Sequence, residues 1–130
     1  MSGESPKLFQ CLIEKKCHDL LFDGLAAYIE AYPQKLELEE KSRSVQEVQA
    51  AVLDEMEIIR VDNIQQLEDG LHFDVIISCE IEIEETFKRD RQVDAVRQWF
   101  RTSCKGELEQ LAESLKIHLI EVYQQPRRPL

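Results

Sequence analysis

The chain has 130 residues and a mass of 15.2 kDa, one ordinary domain, and 43% hydrophobic with 32% charged residues exclude disordered and fibrous classes. Sixteen Lys and Arg against 26 Asp and Glu leave a net charge of −10, which repels phosphate backbones and acidic lipid, so neither nucleic-acid nor membrane binding is expected. No apolar run approaches the roughly 18 residues of a bilayer-crossing helix, and residues 1–7 lack the basic and apolar regions of a secretory signal, so the expected location is the cytoplasm.

Ser5 followed by Pro6 reads as an N-cap with proline at the first helical position. Apolar residues then recur at three and four from Leu8 to Tyr32, predicting one long amphipathic helix that stops before Pro33, with Gly24 as the position where a bend would fall. Residues 33–43 are polar and read as a connection. Ser44 and Glu47 fit a capping box, and Val45, Val48, Val52, Leu53 and Met56 continue at helical spacing, so a second helix is expected over residues 44–56. Ile58, Ile59 and Val61 open a first strand that leads to Asp69 and Gly70, a hairpin dipeptide.

From Leu71 the period is two: Leu71, Phe73, Val75, Ile77, Cys79, Ile81 and Ile83 alternate with a polar side that ends in Glu80, Glu82 and Glu84. Residues 86–95 carry dense charge and read as a solvated loop or a helical turn at a hairpin end. A third strand over residues 96–108 puts Val96, Phe100, Thr102 and Cys104 on one side and Arg97, Trp99, Arg101 and Lys105 on the other. Residues 109–114 are a connection or a single helical turn, 115–123 a last strand, and 124–130 a tail. Residues 1–130 therefore form a single α+β domain, with flexible ends at 1–5 and 124–130. Two N-terminal helices pack on one face of a four-stranded antiparallel meander.

Charge suggests a register. Setting Glu84 opposite Arg97 places Glu82 against Trp99, Glu80 against Arg101 and Ser78 against Ser103, so acid meets base on one face while the other stays mostly apolar. Cys79 and Cys104 then lie close together inside, as buried free thiols. On the open face Trp99 stands between Arg97 and Arg101, with Ile120 and Val122 brought alongside by the last strand, Glu82 across from it and Ile76 across the sheet. Trp and Arg are common interface anchors, so Trp99, Arg97, Arg101, Ile120, Val122 and Glu82 form the expected interface, for a homodimer or for one protein partner.

No catalytic site is expected. The three histidines His18, His72 and His118 converge on no nucleophile, the four glycines make no phosphate loop, and neither a zinc-peptidase motif nor a paired-cysteine motif is present. Glu80, Glu82 and Glu84 sit about 7 Å apart along one strand, which is close enough for carboxylate chemistry, but a solvated acidic face explains them without it. His72 beside Asp74 reads as a surface pair. Neither cofactor nor metal is expected. Residues 44–85 hold twelve acids and one base, Arg60, so an alternative function is an inhibitor that imitates nucleic-acid charge and blocks a basic nucleic-acid-binding protein.

The run from Gln98 through Trp99, Phe100, Arg101, Thr102, Ser103, Cys104, Lys105 and Gly106 to Leu108, followed by the strand at 117–123, resembles an uncharacterised α+β domain of bacterial mobile-element proteins. In some of those proteins the domain precedes a zinc metallopeptidase of the repressor-cleaving kind. The resemblance covers residues 74–123 and implies an accessory role. The chain contains none of the peptidase metal motif, so no catalytic residue carries over.

Overall fold

A computed structural model describes residues 5–32, 47–87 and 90–123. The chain runs α1 (Ser5–Lys16), α2 (His18–Ala31), β1 (Glu47–Leu67), β2 (Gly70–Phe87), β3 (Asp90–Gly106), a 3-10 turn (Leu108–Gln110) leading into the one-turn α3 (Leu111–Ser114), and β4 (Lys116–Val122). The strands form one antiparallel sheet in the order β1-β2-β3-β4, with α1 and α2 on one face. This is the expected α+β meander. The expected connection at 33–43, Ser44 of the capping box and the tail at 124–130 lie outside the described residues.

The N-terminal helix breaks at Cys17 (φ −121°, ψ 3°) and not at Gly24. Its buried row, Ile13, Cys17, Leu21, Leu25 and Ile29, repeats every four residues, and such a row drifts by about 40° per step around a straight helix. A change of axis at Cys17 keeps the row on the sheet. Gly24 serves another purpose: a Cβ there would come within 2.7 Å of Ile117 Cδ1, so its absence lets α2 approach β4 closely.

The expected helix over 44–56 is a strand wherever it is described. β1 pairs with β2 along nearly its whole length and slips register between Leu53 and Glu55 and again between Ile58 and Arg60. Each slip inserts one residue, so Leu53 and Met56, and likewise Ile58 and Val61, stand three apart in sequence yet oppose Ile81, Cys79, Ile77 and Val75. Bulges thus give a strand the spacing of a helix. The β2 backbone favours the strand, because the N–H and C=O groups of so buried a strand need partners on that side, and β1 supplies them by pairing.

Gly70 makes the β1–β2 turn at φ +135°, a conformation open to glycine. At the next hairpin the expected loop over 86–95 is largely strand, with Phe87 paired to Asp90. Register therefore moves four residues from the expected one: Glu80 opposes Arg97, Ser78 opposes Trp99 and Ile76 opposes Arg101. An even shift keeps every side chain on its expected face. It separates Cys79, now opposite Gln98, from Cys104, opposite Phe73, so the two are not neighbours. Both are buried free thiols, as is Cys17, and burial pushes Cys79 and Cys104 up to about 12, which leaves them without thiolate reactivity. Aromatic contacts bind the helices to the sheet: Phe9 meets Phe73 edge-on at 4.9 Å and Tyr28 meets Phe100 at 6.3 Å.

Candidate functional site

The face of the sheet away from the helices is built from rows that cross the strands. Arg60, Ile76, Arg101 and Glu121 make one row; Glu57, Ser78 and Trp99 the next; then Glu55, Glu80 and Arg97; then Val52, Glu82 and Ala95. Two unlike halves result.

The first half closes on itself. Tyr123, just past β4, donates its N–H to the Trp99 carbonyl at 2.9 Å, which turns its ring onto the open face. The ring lies parallel to the Trp99 indole (6.3 Å, 10°) and under two guanidinium groups, Arg101 at 5.2 Å and Arg60 at 5.5 Å from its centre. Arg60 Nη2 donates to the Tyr123 hydroxyl at 2.6 Å while its Nε is 3.0 Å from Asp62. Ile76, flanked by those two arginines, is fully buried although it faces away from the helices, so this canopy replaces the missing second layer. Arg101 Nε is buried there without a hydrogen-bond partner, and Arg101 Nη1 stands 3.9 Å from Glu121.

Trp99, Arg97 and Arg101 thus share the open face as expected, and Glu82 joins them there. Ile120 and Val122 do not. They oppose Thr102 and Phe100 and pack against the core, because pairing Tyr123 with Trp99 gives the open face to Glu121 and Tyr123 and turns their neighbours inward. Glu82 lies across from Ala95, not from Trp99, and Glu80 is separated from Arg101.

The second half is acidic, with Arg97 as its one base among the rows just given. Glu55 directly opposes Glu80, and carboxylate oxygens of Asp54, Glu55 and Glu80 come within 4.8 Å of one another. A shallow pocket of about 140 Å³ beside them is lined by Glu55, Met56, Glu57, Ser78, Glu80 and Arg97. Arg97 spends its Nη1 on Ser78 Oγ at 3.3 Å, although Glu80 is its register neighbour. Among the described residues no cation pairs with Glu55, Glu57, Glu80 or Glu82. One oxygen from each of the exposed Asp54 and Glu55 and the half-buried Glu80 falls short of the six to eight that calcium takes, so the trio does not by itself build a metal centre.

A third cluster at the far end of the face is satisfied internally. Asp69 bonds His72 at 2.9 Å and Lys105 at 3.1 Å, and these hydrogen bonds, His72 foremost, hold its carboxyl down at about 2. His72 therefore pairs with Asp69, while Asp74 accepts from Asn63 at 2.8 Å.

Sequence reasoning missed Tyr123, Arg60, Glu55 and Glu57. Arg60 carried a signal as the one base in the acidic block. Glu55 was hidden by the helical reading of residues 44–56, and Glu57 lies just past it, where no pairing with β2 was expected. Compared with family models, curated proteins and solved structures, the chain finds no match in any of the three.

Proposed function

We propose that this chain is a non-catalytic interaction domain whose open sheet face binds a basic surface of a protein partner through Glu55, Glu57, Glu80 and Glu82. The observation that carries this reading is the pair of carboxylate rows on β1 and β2 with no described cation in ion-pair range. Like charges placed directly across a strand pair oppose folding, and a local conflict of this kind is expected where a surface is kept for a partner. A lysine or arginine lying between Glu55 and Glu80 would reverse the sign of that term. Carboxylates about 7 Å apart along a strand suit a partner whose own surface is built for phosphates, which is the nucleic-acid-imitating form of the reading.

The test is fluorescence anisotropy with labelled decalysine and decaglutamate at low and high salt. Decalysine binds at low salt, weakens as salt screens the face, and loses binding to the variant carrying Glu55→Gln, Glu57→Gln, Glu80→Gln and Glu82→Gln; decaglutamate does not bind. Equal decalysine affinity for the variant contradicts the reading. Self-association through the same face is the second reading. It draws on Leu119, 51% exposed on that face, and on the half-buried Trp99 four residues along the ladder from it, and it requires a dimer mass by light scattering that Trp99→Ala abolishes.

A further inference from the structure

The two long outer edges of the sheet differ. β1 presents an edge interrupted by four register shifts, the irregularity with which natural sheets discourage pairing by a foreign strand. β3 is covered by β4 only over Phe100 to Lys105, with the Tyr123 bond to Trp99 adding one more rung. Over residues 90–98 no described strand lies on its outer side. There the β2–β3 ladder runs without a shift to its last pair, and the stretch holds no proline.

Main-chain direction follows from the last rung. Since the Trp99 carbonyl points to the β4 side, alternation sends the N–H and C=O groups of Arg97, Ala95 and Val93 the same way, toward the uncovered edge. Their side chains are exposed on the open face, Val93 at 59%. Ala95 is the small member of this row, and directly behind it stands Glu82, exposed and without a described cation. An added strand would lie about 10 Å from β2, two strand spacings, which an extended lysine and a glutamate span together across a methyl group. At the neighbouring rung Arg97 repels a second cation, and Val93 offers an apolar contact.

We propose that the edge of β3 at Val93, Ala95 and Arg97 receives an extended segment of a partner protein as a fifth, antiparallel strand, with a Lys or Arg opposite Ala95 reaching Glu82. The segment carries a non-basic residue opposite Arg97 and an apolar one opposite Val93, so that main-chain bonds supply affinity and one cation supplies register. This deepens the basic-partner reading and rests on it.

The test is an NMR titration of the full chain with the peptide acetyl-Glu-Thr-Lys-Thr-Val-Thr-amide and with the same peptide N-methylated at Lys and Val. The unmodified peptide is expected to shift the Val93, Ala95 and Arg97 amides and protect them from exchange, and N-methylation, which keeps the charge, is expected to weaken binding about tenfold or more. Glu82→Gln is expected to weaken binding severalfold. Equal binding of the methylated peptide, or shifts at Glu55, Glu57 and Glu80 with the β3 edge unmoved, overturns strand addition and leaves the basic-partner reading standing. Failure of both peptides and of decalysine removes that reading as well. A dimer whose β3 amides are protected without peptide, or peptide binding that starts only after residues 124–130 are removed, gives the edge to another occupant and overturns the proposal.

Discussion

The two halves of the open face solve the same problem in opposite ways. Each must manage a sheet surface that no helix covers. Around Ile76 the chain spends its own groups on the task, laying Tyr123 over the sheet between Arg60 and Arg101 and against Trp99. Around Glu80 it does the reverse, placing Glu55 opposite and Asp54 alongside while Arg97 turns to Ser78. The first half buries Ile76 under its own side chains and leaves one donor there, Arg101 Nε, without a partner, whereas the second is the half we propose for a partner.

If the closed half is a true second core, Ile76→Ala should cost about 2–5 kcal/mol, the range for a fully buried aliphatic, in urea unfolding. A loss near that of an exposed residue would show that the canopy does not seal. Tyr123→Ala should cost about 1–3 kcal/mol, through the lost bond to a charged donor and the lost stacking, and should shift Trp99 fluorescence to the red. Tyr123→Phe isolates the Arg60 bond and should cost about 0.5–1.5 kcal/mol with the fluorescence unchanged.

The acidic half should respond with the opposite sign. Glu80→Gln removes the like-charge opposition to Glu55 and should stabilise the fold by about 0.2–1 kcal/mol while weakening decalysine binding. A variant that loses both stability and binding would place Glu80 in the fold's own support. The smallest effect belongs to the far cluster. Asp69 is held at about 2, below its ordinary 3.8, so its contribution is complete above pH 3.8 and is lost as pH falls through about 2. A carboxyl titration by NMR should find that midpoint, and His72→Ala should move it back up.

How much of this could be read from residues alone depends on whether local pattern or register decides. The alternation of β2 and the faces of β3 follow from period two, so Trp99, Arg97 and Arg101 were found on the right side. The second part of β1, from Ile58, was legible as a strand, while its first part was hidden because a bulge spaces Leu53 and Met56 as a helix would. Register failed by four residues because the charged stretch after Thr86 pairs as strand, and each cross-strand ion pair is worth only about 0.2–1 kcal/mol against the burial of β2. The Tyr123 canopy depends on where β4 ends against Trp99, a long-range fact that no local pattern records.

The most direct measurement is a residue-resolved NMR map of decalysine on the wild-type chain. The predicted result is that shifts centre on Glu55, Glu57, Glu80 and Glu82 while the Trp99 indole and Tyr123 stay unmoved. Shifts centred on Trp99 and Tyr123 with those glutamates silent, or no shifts at all, would contradict the division of the face into a closed half and a binding half.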